Sequence, residues 1–197
     1  LICVPNMLDA SAILQKVEHT PYAKNDLCIV SVGRFAPEKH FENIVPAAKA
    51  LQAMNLAFMW HIVGDGSERA RVEMLITENG LKDYVILEGS KTNPYPYMKY
   101  ADLFVHPSYI ESQGLTVLEA MALGVPCVVT KSRGPCEFIE DGINGLLTEQ
   151  SPESLAEKVL SILTDKTLYQ SIKENTVCPE QFAPDRVMKQ IEELIDG

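Results

Sequence analysis

The sequence predicts an α/β fold in which a parallel sheet is covered by helices on both faces, and three observations predict it. Short apolar runs of strand length alternate with helix-period segments along nearly the whole chain. The runs are apolar at consecutive positions, as in strands buried on both faces. Glycines and prolines punctuate their ends. Alternation of this kind places helices on both faces of a parallel sheet.

The elements read as follows. CIVSVG at 28–33 is a buried strand ending at Gly33, followed by a helix over 41–54 with Ile44, Ala47, Ala48 and Leu51 at helical spacing. FMWHIVG at 58–64 is a second strand, followed by a helix from Glu68 to Asn79 with Gly80 as its C′ residue. VILEG at 85–89 is a third strand, PYPYMKYA at 94–101 a short helix, and LFVHPS at 103–108 a fourth strand. LTVLEAMAL at 115–123 is a helix closed by Gly124 and Pro126. CVVT at 127–130 and GLL at 145–147 are the fifth and sixth strands. From Pro152 the pattern turns helical, with Leu155, Val159, Ile162 and Leu163 on one face and a last amphipathic helix from Arg186 to Ile195. Residues 1–25 show no clear period and include Pro5 and Pro21, so they read as a linker into a domain spanning 26–197.

Composition narrows the function. The 197 residues are 46% hydrophobic and 22% charged, the balance of a soluble α/β domain. A net charge of −10 argues against a nucleic-acid partner, which would want a basic face. It leaves room for a small anion held by a few local cations and a helix N-terminus. No run approaches the roughly 20 apolar residues of a membrane span, and no signal peptide is visible. The five cysteines form no C-x-x-C pair and fit reduced thiols in the cytoplasm, with Cys28 and Cys127 in apolar runs. The chain begins LICVPN, which reads as a fragment or processed piece.

In open parallel sheets, ligands lie beyond the carboxyl ends of the strands, so the informative loops are 33–40, 64–68, 89–94, 108–114 and 130–136. Gly114 stands just before a helix whose first amides, from Gly114 through Leu115 to Thr116, lack intrahelical acceptors and suit a phosphate. Glu111 precedes that helix, and Glu119 lies just over one turn inside it with its side chain tilted back toward the N-terminus. Two carboxylates beside a phosphate site suit recognition of sugar hydroxyls. Both glutamates read equally well as solvated residues. Arg34 and Lys39 flank the loop after the first strand and offer a fork and a point charge to phosphate, although each alone reads as a surface cation.

GDGSER at 64–69 is a truncated G-x-G-x-x-G with Arg69 at the third glycine, which weakens a nicotinamide reading despite a plausible ribose-side Glu88. GSKTNPYPYM at 89–98 could flank a base or could be a turn shaped by Pro94 and Pro96. The segment 131–145 reads as structural turns. His106, the one histidine near the ligand edge, also reads as structural. There is no D-x-D pair for a metal-bound diphosphate, no G-x-x-x-x-G-K-[ST] and no G-x-S-x-G.

Taken in order, SVGRFAPEK (31–39), HIVGDGSER (61–69), NPYPYMKYADLFVHPS (93–108) and E-x7-E from Glu111 to Glu119, with LEAMALGVPCVVT following, resemble the C-terminal domain of family 4 glycosyltransferases, the glycosyl transferases group 1 domain of the GT-B fold. The resemblance runs from about Asp26 to Leu163, and VPN at 4–6 is similar to the family's lead into the domain. It implies a Rossmann-like domain that binds a nucleotide diphosphate sugar, UDP- or GDP-linked, and an N-terminal acceptor domain absent from this sequence. It implies that Arg34 and Lys39 bind the donor diphosphate, Glu119 the ribose hydroxyls and Glu111 the transferred sugar. Gln113, Gly114, Leu115 and Thr116 would offer backbone amides, while Ser90, Lys91 and Tyr95 would flank the base and Gly33 and Gly64 the donor. The family's E-G-F-G variants appear here as E-S-Q-G, with Gln113 facing the sugar region. The implied reaction is hexose transfer with retention, without a required metal or other cofactor, in glycan or glycolipid synthesis in the cytoplasm. Any membrane contact would come through the absent domain. Two other classes remain open: a non-catalytic nucleotide-binding regulatory module and a nicotinamide-dependent oxidoreductase.

Overall fold

The computed structural model of the chain describes residues 4–17 and 26–196. Six strands form one sheet: β1 (Leu27–Val32), β2 (Phe58–Val63), β3 (Val85–Gly89), β4 (Leu103–His106), β5 (Cys127–Thr130) and β6 (Leu146–Thr148). Their order is β3-β2-β1-β4-β5-β6, and every neighbouring pair is parallel. The helices are α1 (Ala10–Gln15), α2 (Ile44–Ala53), α3 (Arg69–Glu78), α4 (Tyr95–Lys99), α5 (Leu115–Ala122), α6 (Pro152–Thr164), α7 (Lys166–Asn175) and α8 (Pro184–Asp196). The Rossmann-like α/β architecture is the one the sequence predicts.

Strand alternation splits the core in two. Along β1, Ile29 points to one face and Val30 to the other, because successive side chains leave a strand on opposite sides. The first face packs Ile29, Trp60, Ile62, Val105 and Val128 under α2, α3 and α6. The second packs Val30, Phe104, Cys127 and Val129 under α1, α4 and α5. Buried Trp60 donates from Nε1 to Ser31 Oγ (3.1 Å), which donates to the Val105 carbonyl (2.7 Å), so these core polar groups are partnered.

The topology positions the site. From β1 the chain runs outward through β2 and β3, then crosses back to β4 and runs outward the other way. The strand order reverses between β1 and β4, so a crevice opens where the loops after these strands diverge. The loops are 33–40 and 107–114, the two richest in candidate residues.

Three local features differ from the sequence reading. Residues 4–17 are not featureless: Asp9 caps α1 by accepting from Ala12 N–H (2.9 Å), and Leu8 and Ile13 are buried in the second core. A six-residue helix is too short to display a period, which is why the sequence hides it. Residues 1–3 and 18–25, the rest of the expected linker and with them Cys3, Pro21 and Lys24, lie outside the described residues. Past Pro152 the helical stretch is broken at Asp165, whose carboxylate accepts from the N–H groups of Thr167 and Leu168 and starts α7. The last helix begins at Pro184, two residues before the expected start.

Candidate functional site

The loop after β1 is fastened to the loop after β4. Tyr109 N–H donates to the Glu38 carbonyl (3.1 Å), Ser108 Oγ donates to the same carbonyl (3.1 Å), and Asn43 Nδ2 donates to the Tyr109 hydroxyl (2.9 Å). The His40 ring lies on Tyr109 with centroids 3.9 Å apart. These ties bring Lys39 and Glu111 together, 72 positions apart in sequence, as a hydrogen-bonded ion pair through Glu111 Oε1. The side chains are only 19% and 13% exposed, so solvent screens the pair little. His106, at the end of β4, reaches the same oxygen from Nε2 (2.8 Å).

Burial alone would raise the Glu111 carboxyl, but His106 and Lys39 together outweigh it and lower the group to about 2. A carboxyl depressed in the folded state stabilises it above the unfolded value near 4.5, and that stabilisation is lost as pH falls through the folded value near 2. Carbon-13 titration is therefore expected to give Glu111 a midpoint well below the ordinary carboxylate range, and Glu111→Gln is expected to flatten the loss of stability on acidification. A Glu111 midpoint in the ordinary carboxylate range would contradict this geometry.

The turn that leads into α5 is shaped by glycines. Gly114 adopts φ 77° as the residue before α5, a conformation that L side chains resist. The N–H groups of Val117 and Leu118 both donate to Gly114 O (3.0 and 3.2 Å), and those of Leu115 and Thr116, in the first turn, have no intrahelical acceptor. Gly134 presses on the back of the loop: its N–H donates to Glu111 O (3.0 Å), and a Cβ there would lie 2.4 Å from Gln113 Cα. Gly134, within the 131–145 segment, thus shapes the loop that carries Glu111 and Gln113.

Cavities open beside both loops. One of about 180 Å³ is lined by Asn6, Lys39, Glu111, Gln113, Gly114, Leu115 and Thr116 among others. The other, of about 230 Å³, is lined by Gly33, Arg34, Gly64, Asp65, Ser90, Lys91 and Pro94 among others. The structure thus brings Lys39 to Glu111 but leaves Arg34 on the second cavity, 74% exposed and paired with Glu38 at 3.2 Å within its own loop. Lys91 is drawn toward Glu88 (3.6 Å) and over the Tyr97 ring (5.6 Å). Tyr95 and Glu119 form a unit of their own, the Tyr95 hydroxyl donating to Glu119 Oε1 (3.2 Å). Burial pushes the Glu119 carboxyl up, while Tyr95 and Lys16 hold it down.

Gln113 makes side-chain bonds rather than standing free: it accepts from Asn6 N–H and donates to Asn6 O, both at 2.9 Å. At the other end of the N-terminal segment, Asn93 Nδ2 donates to Lys16 O (2.8 Å) and Lys16 Nζ lies over Tyr95 (5.9 Å). Residues 4–17 therefore touch the candidate site twice, at Asn6 within the VPN segment and at Lys16, which no motif marks. Glu88, a candidate ribose ligand in the nicotinamide reading, is occupied by His61 Nδ1 (2.8 Å) and the Tyr97 hydroxyl (3.0 Å). Arg69, at the position of the third glycine, donates to Leu87 O (3.2 Å) and Gly64 O (3.5 Å) and fills the turn.

The same motifs match a family model, glycosyl transferases group 1, over residues 15–177. The chain belongs to that family. A lipopolysaccharide core biosynthesis glycosyltransferase, LpsE of Rhizobium meliloti, is 33% identical over 147 residues, covering 74% of this chain and 42% of the relative. The alpha-D-kanosaminyltransferase of Streptomyces kanamyceticus is 34% identical over 151 residues, covering 75% of this chain and 39% of the relative. Among solved structures, Anabaena Alr3699/HepE in complex with UDP and glucose superposes with a TM-score of 0.79 at 25% identity, over 88% of this chain and 49% of that one. This glycosyl transferases group 1 chain spans less than half the length of these relatives, and its fold superposes on part of the Anabaena structure. No helix among the described residues is long and apolar enough to cross a membrane.

Proposed function

We propose that this chain is the donor-binding domain of a retaining glycosyltransferase that takes a sugar from a UDP- or GDP-sugar. The observation that carries the reading is the Lys39–Glu111 pair at the topological switch point, beside the free first-turn amides of α5. The diphosphate would lie across those amides and meet Lys39, with Arg34 released from its exposed pair with Glu38. Charge developing on the leaving diphosphate would be met by Lys39, Arg34 and the amide dipoles of α5, which is electrostatic catalysis and needs no metal or other cofactor. Glu111 Oε2 would take a sugar hydroxyl and Glu119 the ribose. The base would lie along Ser90 and Lys91, which share a cavity wall with Gly33 and Gly64. The Anabaena neighbour in complex with UDP and glucose supports a uridine diphosphate donor.

The acceptor would be held by an N-terminal domain outside this sequence, in cytoplasmic synthesis of a glycan or glycolipid. Incubated alone with a UDP- or GDP-sugar and a glycan acceptor, this chain is expected to bind donor weakly and transfer nothing, read by NMR of the anomeric protons. Turnover by the chain alone would overturn the two-domain part of the proposal. An inverted product from the two-domain enzyme would overturn retention.

A further inference from the structure

His106 is 2% exposed at the end of β4, with its ring parallel to Phe104 within 12°. Its Nε2 lies 2.8 Å from Glu111 Oε1, the oxygen that also takes Lys39. Its Nδ1 is buried and has no hydrogen-bond partner among the described residues. An ionised carboxylate only accepts, so the proton of the 2.8 Å bond belongs to Nε2. A second proton on Nδ1 would be a buried donor with nothing to receive it, a costly arrangement. Geometry therefore selects one tautomer, protonated at Nε2 and bare at Nδ1.

Two donors on one oxygen have a consequence for the other. Glu111 Oε1 is saturated by His106 and Lys39, while Oε2 carries no hydrogen bond among the described residues. When Lys39 turns to an anionic ligand, the His106 bond alone keeps the carboxylate from rotating. Among the described residues no other side chain is bonded to this carboxylate, and Ser108 Oγ is committed to the Glu38 and Ile110 carbonyls.

We propose that His106 is a positioning residue that donates to Glu111 Oε1 from a fixed Nε2–H tautomer and so presents Oε2 to a hydroxyl of the transferred sugar. The sugar-facing half rests on the proposed function, whereas the tautomer and its hold on Glu111 do not.

The test uses the protein with three side chains at position 106. Nitrogen-15 imidazole spectra of the native protein are expected to show Nε2 protonated and Nδ1 bare; the reverse pattern overturns the proposal without any variant. His106→Gln places an amide donor near the position of Nε2, and His106→Phe keeps an aromatic ring and removes the donor. The Glu111 midpoint is expected to stay low in the glutamine variant and to rise toward the usual carboxylate range in the phenylalanine variant; equal midpoints overturn the proposal. Calorimetry with UDP-glucose and with UDP then reads the sugar contact. The phenylalanine variant is expected to lose about tenfold in affinity for the sugar nucleotide and little for UDP, with recovery in the glutamine variant. A carboxyl that shifts as expected while both ligands bind unchanged would leave the His106–Glu111 coupling standing and overturn the sugar-facing role of Glu111.

Discussion

Replacing Gly64 by alanine is expected to destabilise the protein by on the order of 3 kcal/mol, and so to lower its melting temperature by roughly 6–12 °C. Gly64 has φ 148°, and a Cβ built on it would lie 1.8 Å from the Gly33 carbonyl oxygen. That oxygen is main chain and cannot swing aside. Both backbones are pinned, Gly33 N–H to Val63 O at 3.0 Å and Gly64 N–H to Gly89 O at 2.9 Å. Relief would pull the tips of β1, β2 and β3 apart, where the second cavity opens. Gly80→Ala is the control: it also has a positive φ, 66°, but nothing lies within 4 Å of its Cβ position. Its cost is expected to be about 1 kcal/mol, that of a left-handed backbone alone. Equal costs at the two positions would show that the strand tips are not packed as described.

The second large effect is on binding. Glu119→Ala is expected to weaken the affinity for a nucleoside diphosphate by about ten- to a hundredfold, the loss of one charged hydrogen-bond partner worth about 1.5–3 kcal/mol. Glu119 is partly buried, and among the described residues only the Tyr95 hydroxyl is hydrogen-bonded to it, through Oε1. One oxygen is left for a ligand. Its carboxylate lies just over one turn inside α5, where helical side chains tilt back toward the N-terminus and its free amides. Tyr95→Phe removes the support and leaves the charge, so a smaller loss, a fewfold, is expected. Unchanged affinity in Glu119→Ala would remove it from the donor site.

Much of this was legible in the sequence, and the reasons differ by feature. The four inner strands, β1, β2, β4 and β5, are nearly consecutive apolar runs because both of their faces are buried, and such runs stand out in a mixed sequence. Gly33 and Gly64 mark where the chain leaves β1 and β2, Gly114 marks the entry to α5, and the candidate cations and carboxylates lie near them. Partners distant in sequence were not legible. Nothing near Lys39 announces that it closes on Glu111, and Gln113 gives no sign that its amide clasps the Asn6 backbone. His106 looked structural because an isolated histidine at a strand end has no visible partner. Its partner is five residues on, past the bend that brings Glu111 back over the strand. The helix over 10–15 escaped because its stability comes from burying Leu8 and Ile13 and from the Asp9 cap, not from a long amphipathic repeat.

The most direct test of the central claim is a calorimetric titration of the chain with UDP, GDP, ADP and NAD in turn. The proposed donor site predicts that one nucleoside diphosphate binds, that NAD does not, and that the binding heat is lost in Glu119→Ala. Binding of NAD with no affinity for any nucleoside diphosphate would contradict it and assign the crevice between β1 and β4 to a different chemistry.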